Sequence, residues 1–132
     1  MRFNVGDQAT QSRTVTEADV VIFGGVTGDL NPAHFDEAWA KNTRFGGRIA
    51  HGMLTAGYIS AVLGMKLPGP GTIYMSQTLK FTAPVKIGDT ITAKVEVVEI
   101  IENKRMRLAT TATNQEGKVV LEGEALVMPP KE

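Results

Sequence analysis

The spacing of hydrophobic residues changes near Gly69, from helical spacing before it to strand alternation after it. Thr16 to Asp19 resembles a capping box with Asp in the last place, and predicts a short helix over about residues 17–24. Phe35, Ala38 and Trp39 form an apolar stripe at helical spacing. This stripe predicts a second helix over about residues 32–41, with Phe35 and Trp39 as packing residues.

The longest predicted helix covers residues 50–65 and has an unusually small surface. Glycine inside a helix costs about 1 kcal/mol of propensity relative to alanine, so several of them need a packing reason. We expect a buried helix whose backbone approaches a neighbour closely. The small residues are Ala50, Gly52, Ala56, Gly57, Ser60, Ala61 and Gly64.

After Gly69 the pattern alternates between apolar and polar residues, which is typical of strands with one buried face. Four strands are predicted, over residues 72–81, 90–101, 105–114 and 118–128, and the chain before Thr16 supplies a fifth. In the first of them Gln77 interrupts an otherwise apolar face. An antiparallel sheet with one apolar face needs a cover, and the helix over residues 50–65 is the natural candidate. The sequence therefore predicts a single α+β domain over residues 1–132.

Composition and charge exclude several classes of function. Lys and Arg number 14, equal to Asp and Glu, so no overall basic field indicates a nucleic-acid or anionic membrane partner. The absence of cysteine excludes disulfides and thiolate chemistry. The first residues lack the apolar core of a signal peptide, and no apolar run has the length of a membrane span. We expect a soluble, cytoplasmic protein.

The candidate chemistry is concentrated in the element Asp29-x-Asn31-Pro32-x-His34. Asn31 is a favoured N-cap and Pro32 a favoured first helical residue, so a helix is predicted to begin here. His34 then lies in its first turn and Asp29 on the loop that enters it. A carboxylate and an imidazole in this arrangement are suited to proton transfer. The alternative is that Asp29 is an exposed turn residue and His34 faces solvent.

His51 and Gly52 precede the long helix, where the Gly52 N–H is one of the unpaired first-turn donors. Such a donor can stabilise an acyl oxyanion, although a glycine here can also serve only close packing. His51 is interpreted as structural. The spacing shows no third ligand beside His34 and His51, so we expect no metal site. By default Ser60 bonds its own helix backbone.

These motifs resemble the MaoC-like family of (R)-specific enoyl-CoA hydratases, enzymes of fatty acid metabolism. The resemblance covers nearly the whole chain, and the Asp-x-Asn-Pro-x-His element is its most specific part. It implies a hotdog fold, in which a curved antiparallel sheet wraps around one long helix, and a homodimer with sites near the subunit interface. The matching stretches are residues 23–34, 48–54, 71–74 and 81–89.

The resemblance also implies roles for individual residues. Asp29 is expected to be the general base and His34 to orient the water that adds to C3 of a trans-2-enoyl-CoA. The Gly52 N–H is expected to stabilise the thioester enolate. Asn31 would support the loop and Ser60 the site, by bonding Asp29. The CoA thioester itself acidifies C2, so the resemblance implies no metal or redox cofactor, and the product is (R)-3-hydroxyacyl-CoA.

Two other functions remain open at this point. A thioesterase would use the same acyl-binding helix and a carboxylate-held water that attacks C1. A non-catalytic module would bind acyl-CoA or an acyl carrier protein without turning it over.

Overall fold

The computed structural model describes residues 1–131, with four helices and six strands. The helices are α1 (Glu17–Thr27), α2 (Pro32–Phe35), α3 (Glu37–Ala40) and α4 (Gly52–Met65). The strands are β1 (Gln8–Thr14), β2 (Ile73–Gln77), β3 (Lys80–Phe81), β4 (Thr90–Ile101), β5 (Arg105–Thr113) and β6 (Val119–Met128).

All strands join one antiparallel sheet in the order β1-β4-β5-β6-β2, and β3 also pairs with β6. The predicted alternation in β4 is confirmed, because its inward residues are fully buried: Ile91, Ala93, Val95 and Val97. The expected number of about five strands becomes six, since the chain over residues 72–81 supplies two strands instead of one.

Helix α4 covers the apolar face of the sheet and contacts β4, β1, β5 and β6. Its inward side chains Ile59, Val62 and Leu63 are at most 1% exposed. A sheet that surrounds one long helix in this way is the hotdog arrangement, so the predicted α+β fold is confirmed. Within residues 1–131 no helix is long and apolar enough to cross a membrane.

Helix α1 begins as predicted and ends later. The Thr16 hydroxyl accepts from the Asp19 N–H at 3.1 Å, and the Asp19 carboxylate accepts from the Thr16 N–H at 2.9 Å. The helix continues to Thr27 and ends at Gly28, whose φ of 81° is a left-handed conformation that glycine adopts without strain. The capping box therefore located the start of the helix, while the glycine sets its end.

The prediction of a single helix over residues 32–41 is wrong. Asp36 has an extended backbone, with φ −119° and ψ 97°, and separates α2 from α3. Its carboxylate accepts from the Trp39 N–H at 3.1 Å, so Asp36 starts a new helix rather than continuing the first. Trp39 is 49% exposed, so its predicted packing role is also wrong.

The break between β2 and β3 has a specific cause. The register with β6 continues through Thr78, but the backbone of Thr78 approaches Gly123 so closely that a Cβ atom there would lie 1.8 Å from the Thr78 carbonyl oxygen. The Thr78 N–H donates to the Glu124 carbonyl, and the Glu124 N–H donates to the Thr78 hydroxyl, both at 2.9 Å. Only glycine at position 123 permits this close approach.

Candidate active site

Asp29 lies on the loop between α1 and α2, held by local hydrogen bonds. Its N–H donates to the Thr27 hydroxyl at 3.1 Å, and its carboxylate accepts from the Asn31 N–H at 3.3 Å. The Asn31 side chain accepts from the Ala33 N–H at 3.0 Å, as expected of an N-cap. These bonds fix the Asp29 carboxylate just before α2. Asp29 is exposed to solvent there.

His34 is held in one tautomer by the chain that enters α4. Its Nδ1 lies 2.7 Å from the Ile49 carbonyl oxygen. A carbonyl oxygen only accepts hydrogen bonds, so Nδ1 carries the proton. In the neutral ring, Nε2 then has a free lone pair that can accept a hydrogen bond or a proton.

His51 lies directly against His34, with ring centroids 3.9 Å apart and planes inclined by 31°. It is 1% exposed, and its Nε2 donates to the Asp29 backbone carbonyl at 2.9 Å. The sequence interpretation of His51 as a structural residue missed these contacts with both members of the candidate pair. The only signal in the sequence was its position beside Gly52.

The structure brings Asp29, His34 and His51 together, with one ligand-type atom of each within 4.8 Å of the others. The fold thus supplies the third side chain that sequence spacing did not show. His34 Nδ1 and His51 Nε2 bond carbonyl oxygens, which leaves the other nitrogen of each ring without a partner among the described residues. The absence of a metal ion expected from the sequence therefore stays a prediction.

Arg48 connects this segment to α1, a role that sequence reasoning did not identify. Its Nε donates to the His34 carbonyl at 2.6 Å, and its two terminal nitrogens donate to the Glu17 carboxylate at 2.9 and 3.0 Å. The Arg48 side chain is only 16% exposed. A fork-shaped guanidinium can make all three contacts at once, which a lysine ammonium cannot do with the same geometry.

A cavity of about 700 Å³ is lined by Asp29, His34 and Gly52. Gly52 is the first residue of α4. No described residue accepts a hydrogen bond from the Gly52 N–H. A Cβ atom at position 52 would lie 2.6 Å from the Phe81 ring, so the glycine also permits a close approach. Both roles weighed for Gly52 are therefore compatible with its geometry.

Ser60 is not brought to Asp29 within one chain. It is exposed on α4 and lines a second cavity of about 380 Å³, together with Tyr74 and Gln77 of β2. The Tyr74 hydroxyl donates to the Gln77 side-chain oxygen, and burial raises the pKa of Tyr74, so it remains a neutral donor. The Gln77 amide donates to Thr110 at 2.9 Å, which explains why a polar residue interrupts the apolar pattern.

Comparisons with known proteins identify the family of this chain. A family model described as a MaoC-like domain matches residues 5–119. The chain is 53% identical over 125 residues to an (R)-specific enoyl-CoA hydratase of Rhodospirillum rubrum, covering 95% of this chain and 87% of that protein. It is 55% identical over 128 residues to a 3-hydroxybutyryl-CoA dehydratase of Methylorubrum extorquens, covering 96% and 81%. The solved (R)-hydratase from A. caviae involved in PHA biosynthesis is 42% identical, with a TM-score of 0.94 over 98% of both chains.

Proposed function

Because the chain belongs to the MaoC-like domain family, we propose that it adds water to trans-2-enoyl-CoA to give (R)-3-hydroxyacyl-CoA, and that it also catalyses the reverse dehydration. The observation that carries this proposal is the convergence of Asp29 and His34 on a cavity that also contains the first amide of α4. The similarity to proteins named as hydratase and dehydratase supports both directions of the reaction.

The catalytic water is held between the Asp29 carboxylate and His34 Nε2. Both are acceptors, since the His34 proton is on Nδ1, so each takes one hydrogen of the water. A lone pair of the water oxygen is then directed at C3 of the enoyl group. Asp29 removes one proton as the C3–O bond forms, and the proton is delivered to C2 by the same pair.

The Gly52 N–H donates to the thioester oxygen and stabilises the negative charge that develops on it. As C3 is attacked, the double bond shifts and the carbonyl oxygen becomes an enolate oxygen. A free amide at the first position of a 14-residue helix donates to this oxygen, and the helix dipole adds partial positive charge there. Neither this step nor the proton transfer needs a metal or redox cofactor, and we propose that none is used. The CoA is part of the substrate.

The uncovered small residues of α4 and the exposed edge strand β2 support a homodimer. The small residues of α4 were expected to meet a close neighbour, yet a Cβ atom at Gly57 or Gly64 would have no heavy atom within 4 Å. Beside them, β2 is an edge strand that exposes apolar side chains, with Ile73 57% and Met75 44% exposed. Unpaired edges of this kind favour pairing with another chain. A second copy seated here would place Ser60 at the subunit interface, near which the family resemblance implies that the sites lie.

Sedimentation equilibrium tests the dimer, because one chain has a mass of 14.2 kDa and a dimer twice that. A mass of one chain at micromolar concentration would contradict it. The cytoplasmic location expected from the sequence stays a prediction, which fractionation of the source cells can check.

The function is tested by incubating the protein with crotonyl-CoA and following the enoyl absorbance, free thiol and product chirality together. We expect loss of absorbance, no thiol release and the (R) product. Thiol release with intact enoyl absorbance would instead identify a thioesterase. Measurable affinity without turnover on any enoyl-CoA from C4 to C12 would identify a binding module. Dialysis against a chelator should leave the hydration rate unchanged.

A further inference from the structure

His51 has no role in the proposed proton transfer, although it contacts the backbone of Asp29 and the ring of His34. Resting on the proposed function, we propose that His51 is a positioning residue that fixes the relative geometry of Asp29 and His34. It lies at the N-cap of α4, one residue before Gly52. It therefore also fixes the position of the catalytic pair relative to the Gly52 N–H.

The first contact fixes the loop that carries Asp29. The His51 Nε2–H donates to the Asp29 backbone carbonyl at 2.9 Å. Asp29 is otherwise held through neighbours in its own loop, Thr27 and Asn31. The bond to His51 is the one that ties the Asp29 peptide to the rigid end of α4, across 22 residues of sequence.

The second contact fixes the plane of His34. The His51 ring packs on the His34 ring with the planes inclined by 31°, while Phe23 and Phe35 contact the His51 ring at centroid distances of 4.7 and 5.7 Å. His34 has one hydrogen bond through Nδ1, about which its ring is free to tilt. The His51 ring blocks that tilt on one face, which keeps Nε2 directed toward the water site.

The surroundings also determine which His51 nitrogen acts as the donor. The Asp29 carbonyl oxygen only accepts, so Nε2 carries a proton. Nδ1 is buried and has no hydrogen-bond partner among the described residues, so a proton there would be an unpaired buried donor, which is unfavourable. His51 therefore donates to Asp29 through Nε2 and positions other groups instead of exchanging protons itself.

The two contacts can be removed separately. His51→Gln keeps an amide donor near the position of Nε2 but loses the ring, and His51→Phe keeps a ring but loses the donor. We expect each variant to lower kcat by about 10- to 100-fold with KM changed by less than about threefold, because small misplacements of catalytic groups have effects of this size. Val62→Ala is the control, since Val62 is buried in α4 away from the cavity and should lower Tm without lowering kcat.

Near-normal kcat in both folded His51 variants would overturn the proposal. It would also be overturned if their kcat fell no further than that of Val62→Ala when the Tm values of the variants are matched.

NMR of the wild-type protein gives a second test, which depends neither on activity nor on the folding of variants. The chain has only two histidines, so nitrogen-15 NMR of the wild type resolves both imidazoles. We expect a slowly exchanging proton on His51 Nε2 and a proton on His34 Nδ1. A His51 Nε2 without a proton would overturn the proposal, because it could not donate to the Asp29 carbonyl. A wild type with both protons in these places and no hydratase activity would overturn only the proposed function.

Discussion

The strands β4 to β6 and the segment over residues 28–51 are held together by different interactions. The strands pair through continuous backbone ladders, and their inward side chains form the core. The segment contains only two short helices and is held mainly by side chains that bond backbone groups, such as Asn31, His34 and Arg48. Substitutions of buried residues in the sheet should therefore change stability, whereas substitutions of the catalytic pair in the segment should change catalysis.

The largest effect is expected for the catalytic pair. Asp29→Asn keeps an oxygen acceptor for the Asn31 N–H, and His34→Asn keeps a donor near Nδ1, so both should fold. We expect kcat on crotonyl-CoA to fall by about 10²- to 10⁴-fold in each, the usual contribution of a general acid or base. The free energy of unfolding, measured with urea, should change by less than about 0.5 kcal/mol. Normal turnover in both variants would contradict the assignment of catalysis to the segment over residues 28–51.

The converse effect is expected in the sheet. Leu108 in β5 is fully buried, so Leu108→Ala should reduce the free energy of unfolding by about 2–5 kcal/mol. The kcat of the folded fraction should stay near the wild-type value. Leu30 is the matched control, because it is 63% exposed in the segment and Leu30→Ala should change stability little. A large drop in kcat for Leu108→Ala at a temperature where it is folded would contradict the comparison.

Gly52 joins the two regions, and a pair of variants separates its two roles. Gly52→Ala should lower kcat by about 100-fold, because the methyl group obstructs the approach of the thioester oxygen to the amide. The same methyl group overlaps the Phe81 ring. The double variant with Phe81→Ala is compared with Phe81→Ala alone in the crotonyl-CoA assay. We expect the double variant to stay slower, whereas equal rates would mean that Gly52 serves only the packing of Phe81.

The smallest effect is expected at Arg48. Arg48→Lys keeps the charge but loses the fork that joins the His34 carbonyl to Glu17, so stability should fall by about 1–3 kcal/mol. Glu17→Gln should cost less, because the Glu17 side chain is 56% exposed. Urea unfolding measures the loss in free energy of unfolding for each variant. A larger loss for Glu17→Gln would show that the ion pair, and not the bond to His34, holds the segment.

The same contrast explains which features were predictable from sequence. Buried and half-buried positions alternate regularly over residues 90–97 of β4, so periodicity was enough to predict that strand. The break at Asp36 depends on one side chain capping one amide, and an apolar stripe at helical spacing does not reveal it. The break at Thr78 depends on Gly123, which is 45 positions away in the chain and carries no local signal.

In the site, the Asn31-Pro32 start of α2 was predictable, because capping is local. The contacts of Arg48 and His51 were not, since both reach across more than ten residues to backbone carbonyls. Carbonyl groups are present at every position and leave no trace in a sequence pattern. Recognising such partners required the fold.

The exposed position of Trp39 has a practical consequence. It is the only tryptophan in the chain and lies on α3, within the segment and half in contact with water. Its fluorescence therefore reports on the surroundings of the site, while circular dichroism reports mainly on α4 and the sheet. If the emission changes at lower urea than the dichroism, the site opens before the domain unfolds. The chain thus contains its own optical probe for the order of these two events.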